Sequence, residues 1–198
     1  MKITHLTPND YKTANWSGGS TTELYLAPEN GSYADRHFLI RISSATVEES
    51  PSEFTALPGI IRTLVPLTNT LTLTHEDAPP LILKPGKPHT FSGAVKTVSE
   101  GTGTDFNIMT TGSLITHAAW HNLKESELYS VPPECNSFTF FFIVSGDIEI
   151  KAAGNILETY HPGDLMVCEP QILSPAEKIT LTSATAASYL AVNINNRL

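Results

Sequence analysis

The stretch His37-Phe38-Leu39-Ile40-Arg41-Ile42-Ser43-Ser44-Ala45-Thr46-Val47 alternates with a period of two. Phe38, Ile40 and Ile42 fall on one face, and Leu39, Arg41 and Ser43 on the other. Successive side chains of an extended chain point to opposite sides, so this is a strand between two environments. An arginine in so apolar a strand has two homes. It can face outward, or it can face a barrel lumen, where it needs an anionic partner. Working outward, the same short-strand pattern recurs. Residues 2–6 alternate before the turn Pro8-Asn9-Asp10, and 22–26 alternate before the turn Pro28-Glu29-Asn30-Gly31. Residues 60–67 and 70–75 read as a hairpin around Thr68-Asn69, and further runs follow at 95–98, 106–110 and 114–120. The second half continues in kind, with the aromatic and β-branched run 137–144 and strands at 148–150, 156–158, 165–168, 178–182 and 188–193. No amphipathic helix of ordinary length occurs. Many short strands separated by Gly and Pro turns mean a sandwich or a barrel.

A weak internal echo bears on domain number. Leu83-Lys84-Pro85-Gly86 precedes a strand in the first half as Tyr160-His161-Pro162-Gly163 does in the second. Two β-barrel or jelly-roll units, residues 1–121 and 122–198 with strand exchange between them allowed, account for the echo better than one long sandwich with insertions.

Composition narrows the function classes. The chain has 198 residues, a formal charge of -8 and 40% hydrophobic content, ordinary for a globular protein. Phosphate binding needs a concentrated basic surface, so no nucleic-acid partner is expected. Met1-Lys2-Ile3-Thr4-His5-Leu6 lacks the apolar core of a signal peptide, and no run reaches a membrane span. A cytoplasmic protein without a membrane partner is the expectation, with Cys135 and Cys168 as reduced thiols. An unprotected sheet edge would allow a homodimer.

Metal ligation wants imidazoles and carboxylates converging on one point. The seven histidines include no close His-x-His pair followed by a carboxylate and a distant third histidine, so neither a metal nor another cofactor is expected. What remains is polar clustering in the first half. Asn15-Trp16-Ser17-Gly18-Gly19-Ser20-Thr21-Thr22-Glu23-Leu24 reads either as a turn closed by a core Trp or as a ligand loop, because adjacent glycines let other atoms approach the backbone closely. Arg41, Arg62, His89-Thr90-Phe91-Ser92-Gly93 and Asp105-Phe106-Asn107-Ile108-Met109 add guanidinium clamps, an imidazole and an amide.

Taken in order, Asn15-Trp16-x-Gly18-Gly19-x-Thr21-x-Glu23, Arg41-Ile42-Ser43-x-Ala45, Phe54-x-x-Leu57-Pro58-Gly59-x-x-Arg62, Phe91-x-Gly93 and Asp105-Phe106-Asn107-x-Met109 resemble the HutD/Ves family, closest to its Ves branch. The resemblance spans roughly residues 3 to 193. It implies an all-β bicupin: two double-stranded β-helix (cupin, jelly-roll) barrels in one chain. It also implies a small-molecule acid as partner, and a binding or regulatory role connected to histidine utilisation with no established enzymatic activity. The family's positions place Trp16, Gly18, Gly19, Thr21, Glu23, Arg41, Arg62, Phe91 and Asn107 around a ligand pocket, supported by Asp105 and Gly93, and the polar cluster adds His89 to its lining. Ser17 and Ser20 stand where the family more typically carries Asn and a third Gly. Two other readings stay open: a metal-independent isomerase or hydrolase using Glu23 or His89 as base, and a structural or protein-interaction subunit with filled barrels.

Overall fold

A computed structural model describes residues 2–124, 126–130, 137–152, 155–170 and 178–196. Among these residues it is all-β apart from one turn of 3-10 helix at Pro8–Asp10. By contacts the chain divides into Tyr11–Leu114, the N-terminal unit, and Met1–Asp10 with Ile115–Leu198, the C-terminal unit. The sequence-based boundary between 121 and 122 falls inside a continuous ten-residue strand, Leu114–Leu123. Strand β1 (Lys2–Leu6) belongs with the C-terminal unit.

The N-terminal unit contains β2 (Lys12–Trp16), β3 (Gly19–Ala27), β4 (Ile40–Val47), β5 (Ser52–Glu53), β6 (Ile60–Pro66), β7 (Leu71–His75), β8 (Leu81–Leu83), β9 (His89–Ser92), β10 (Thr97–Glu100) and β11 (Gly103–Thr111). They form a six-stranded sheet in the order β2-β3-β4-β11-β6-β9 and a four-stranded sheet in the order β5-β10-β7-β8. This corrects one expectation. β6 and β7 are not a hairpin: Thr68 and Asn69 lie on the crossing from one sheet to the other, and β6 pairs instead with β11 and β9. Local alternation specifies a strand but not its neighbour, and in a jelly roll sequence-adjacent strands often change sheets. The inner faces meet through Leu64 of β6 and Leu71, Leu73 and Leu83 of the other sheet, with Phe54 and Phe91 packed against them.

The C-terminal unit adds β12 (Leu114–Leu123), β13 (Glu127–Ser130), β14 (Phe138–Ser145), β15 (Ile148–Ala152), β16 (Asn155–Tyr160), β17 (Leu165–Glu169), β18 (Lys178–Thr182) and β19 (Ala187–Asn196). Its sheets run β1-β17-β14-β19-β12 and β13-β18-β15-β16. Between them lies an apolar cluster in which Phe141, Ile143, Met166 and Tyr189 meet Ile148, Ile150, Ile179 and Leu181, all fully buried. His5 of β1 ties this unit's edge strand down. Its Nε2 lies 2.9 Å from Asp164 Oδ2 and its Nδ1 2.8 Å from Glu158 Oε2. Cys168 is buried, and Cys135 lies outside the described residues. Among the described residues no helix is long and apolar enough to cross a membrane.

Candidate functional site

The period-two pattern of β4 decides where the site is. Arg41, Ser43, Ala45 and Val47 share the face turned into the N-terminal unit, where they line a cavity of about 520 Å³. Register then assembles its walls. Asp105, Asn107 and Met109 of β11 stand opposite Ala45, Ser43 and Arg41 of β4. On the other side Met109 faces Arg62 of β6. Opposed residues in an antiparallel pair point to the same face, so these side chains gather although up to 68 residues (Arg41 to Met109) separate them. The volume suits a small metabolite.

Arg41 is buried, and the anionic partner that a lumen-facing arginine requires is Glu23. Arg41 Nε donates to Glu23 Oε2 at 2.8 Å and Nη1 donates to Ser43 Oγ at 3.1 Å. Its guanidinium also lies 4.0 Å from the centre of the Tyr33 ring, within range of a cation–π contact. Glu23 reaches this position from β3, whose register slips between Glu23 and Tyr25.

Arg62 is buried but only partly engaged. Nη2 donates to the carbonyl of Thr55 at 2.7 Å, the guanidinium sits 5.3 Å from the Phe54 ring, and Nε has no protein partner. Burial pulls its guanidinium below the ordinary range, with Arg41 and Arg36 acting the same way and Tyr33 and Asp105 opposing. Two further polar atoms of the same cavity are buried without a protein partner: Asp105 Oδ1 and Asn107 Oδ1. Burial pushes the Asp105 carboxyl from 3.8 up to about 7 against the pull of Arg62. Desolvation disfavours its charged form, and no donor meets Oδ1. A buried polar atom without a partner costs roughly 1–3 kcal/mol, and these three belong to residues that line one cavity.

The glycine loop resolves into the tight turn of the β2–β3 hairpin, with Trp16 opposite Gly19. The Trp16 ring lies over Gly18 so closely that a Cβ there would collide with it. Gly19 has φ +149°, and a Cβ on it would meet the carbonyl oxygen of Thr46. Both glycines therefore shape the hairpin without lining the cavity, whereas Trp16 and Thr21 do line it, joined by a 3.2 Å bond from Trp16 Nε1 to Thr21 Oγ1. Trp16 is 39% exposed, so it forms the rim.

His89 and Phe91 share the inward face with Leu64 and Arg62 but lie outside the cavity lining, because Phe54 stacks on Phe91 from the cavity side. His89 Nε2 is 2.8 Å from His75 Nε2. Thr97 Oγ1 donates to the carbonyl of Val95 and so accepts from His75 Nδ1, 2.8 Å away. That leaves His75 Nε2 as acceptor and His89 Nε2–H as donor. Gly93 holds the loop beneath Phe54: its carbonyl accepts from Leu57 N at 2.6 Å, its N–H donates to Ile60 O at 2.8 Å, and a Cβ would lie 2.8 Å from Leu57 O.

Of the residues singled out from sequence, the cavity thus collects Trp16, Thr21, Glu23, Arg41, Arg62, Asp105 and Asn107. It adds Tyr33, Ser43, Phe54 and Met109. Ser43 and Met109 carried a signal, each standing two residues beyond a polar lumen residue on its strand. Tyr33 lies between strands and carried none. Among the described residues no group of three or more His, Cys, Asp or Glu is placed to hold a metal ion; the His75–His89 pair has no third ligand, so the residues do not fit a metal of the kind the fold often carries.

Comparison with known proteins agrees with this architecture. A family model described as HutD matches residues 8–190. No curated protein matches the sequence. A conserved protein of unknown function from Pseudomonas aeruginosa PAO1 superposes with a TM-score of 0.87 at 21% identity, covering 99% of this chain and 100% of that one. HutD from Pseudomonas fluorescens SBW25, determined in a formate condition, gives 0.75 at 20% identity over the full length of both chains. A mutant of Bacillus subtilis oxalate decarboxylase gives 0.68 at 9% identity, covering 95% of this chain and 76% of that chain. At these identities the likeness establishes the fold, a cupin jelly roll.

Proposed function

The chain belongs to the HutD family, and from that premise we propose that it binds a small carboxylate-bearing metabolite in the cavity of its N-terminal unit, as a binding or regulatory protein in a role linked to histidine utilisation. The observation that supports this best is Arg62, a buried cation in the cavity wall whose Nε has no protein partner. Arg41 is already neutralised by Glu23, which leaves Arg62 as the anchor for an incoming anion. Asn107, on the same wall, has an Oδ1 without a protein partner, so a formylated amino acid offers what both residues lack: a carboxylate for Arg62 and an amide N–H for Asn107.

A charge-assisted bond contributes about 1.5–3 kcal/mol. Micromolar affinity needs about 8 kcal/mol, so the apolar walls of Trp16, Tyr33, Phe54 and Met109 must supply the remainder. The test is a melting and calorimetric screen with formate, N-formylglutamate and urocanate. A ligand at about 100-fold over its Kd stabilises the fold by about 2.7 kcal/mol, a plainly measurable shift. No shift with any of them at millimolar concentration counts against the reading.

One observation favours a second reading. Glu23 lines the cavity beside an arginine, the setting a metal-independent isomerase or hydrolase would use. A general base must reach a substrate proton, and Arg41 occupies Oε2 of Glu23, so the base would act through its other oxygen. His89, turned to His75 behind Phe54, is not placed for that role. Turnover of any acid that binds, lost in Glu23→Gln, would establish the second reading over the first.

A further inference from the structure

Asp105 was assigned a supporting place by the sequence, but its surroundings give it a different one. It is 2% exposed, sits on the lumen face of β11 and lines the cavity. A carboxyl in a merely supporting position has its oxygens satisfied by backbone or side-chain donors, and Oδ1 here has none. The charged and titratable groups lining the same cavity are Lys12 from β2, Glu23 from β3, Tyr33 from the following segment, Arg41 from β4, Glu53 from β5 and Arg62 from β6. Lys12 and Glu53 are exposed, and Glu23 takes Arg41. Arg62 alone acts appreciably on Asp105 through its charge, and it does not close on Oδ1.

An anion drawn to Arg62 enters beside this carboxyl. Two carboxylates side by side, one of them buried, disfavour double ionisation, so one of them carries a proton. Formate and other simple acids are far stronger acids than a carboxyl that burial, against the pull of Arg62, pushes up to about 7, so the proton resides on Asp105. Protonated, Asp105 also turns from an acceptor that repels a carboxylate ligand into an O–H donor to it.

We propose that Asp105 is a ligand-contacting residue that holds the bound anion as a neutral acid, so that anion binding takes up one proton from solvent. In the balanced step an ionised Asp105, a proton from water and the free anion become a carboxylic acid hydrogen-bonded to a carboxylate, with no covalent bond formed other than O–H. The proposal rests on the carboxylate reading above and assigns the site its pH response and its preference for ligands with a bare anionic oxygen.

The experiment is calorimetric titration with formate, which stays ionised throughout, from about pH 6 to about pH 9 in buffers of different ionisation enthalpy. The expected result is proton uptake rising toward one per formate above pH 7, with Kd weakening about tenfold per pH unit over that range. Asp105→Asn is expected to bind formate with a Kd that no longer changes with pH. If that variant does not fold, the proton count of the wild-type protein decides alone. A pH-independent Kd with no proton exchange, or proton release, overturns the role of Asp105 and leaves carboxylate binding intact. No binding of formate or the larger acids at any pH overturns both.

Discussion

Replacing Asp105 by Asn keeps the shape of the side chain and removes its charge, which makes the cost of that charge to the fold measurable. Folding raises this carboxyl from 3.8 to about 7. The folded protein therefore holds a proton that the unfolded chain has lost across that window, and stability falls as pH rises through it. The loss begins near 3.8 and levels off above 7, the reverse of an ion-paired aspartate. A shift of about three units corresponds to about 4 kcal/mol at most, since each unit is about 1.4 kcal/mol. Because the group is nearly fully buried, solvent screening takes little of this away. Between about pH 5 and about pH 8.5 the integrated change is about 3 kcal/mol, or roughly 6–12 °C in melting temperature for a chain of this length. Thermal melts of the wild type and Asp105→Asn at the two pH values check this without ligand. The variant should gain on the wild type by that margin at the higher pH. An unchanged difference in melting temperature between the two would refute the claim that Asp105 is buried without a compensating donor.

Three other outcomes follow from the same geometry. Glu23→Gln removes the anion that neutralises Arg41, so the fold should lose about 1.5–3 kcal/mol in denaturant melts while formate binds more tightly to a cavity with one more unpaired cation. Gly19→Ala places a Cβ against the Thr46 carbonyl at φ +149°, and should destabilise the N-terminal unit by about 2 kcal/mol or more, seen as loss of amide protection along β2 and β3. Burial, then the neighbouring His75, hold His89 below its ordinary 6.5, so its neutral form is favoured by folding and the stability it contributes is lost as pH falls through that value. His89→Gln should flatten this acid-side loss, and imidazole proton shifts followed by NMR should show His89 protonating below the ordinary range.

Strands were legible wherever alternation was strict. β4 and β11 could be read directly, because a half-buried strand must place its apolar residues at every second position. The pairing of strands could not be read, as β6 and β7 show. Both alternate and a short turn joins them, yet they belong to different sheets, since hydrogen-bond partners in a jelly roll come from distant segments. At the site, the alternation of Arg41 with Ser43 announced a polar inner face. The ion pair to Glu23 was invisible because each residue is equally plausible alone. Asn107 was expected at the pocket and Asp105 in support of it, but that each is buried with an oxygen lacking a partner could not be read from the sequence.

The sequence by itself determined an all-β chain, its strand periods, its acidic surface and a pool of polar residues confined to the first half, because composition and alternation are local properties. Tertiary structure alone decided which of those residues meet. Antiparallel register set Asp105, Asn107 and Met109 against Ala45, Ser43 and Arg41. The stacking of Phe54 on Phe91 left His89 outside the cavity. The loop around Gly18 and Gly19, which the sequence left open between a turn and a ligand loop, is a hairpin turn carrying Trp16 to the rim. Whether a polar side chain is a wall, a clamp or a bystander depends on its distance to groups far away in sequence and on the water it has lost, and neither quantity exists before the chain is folded.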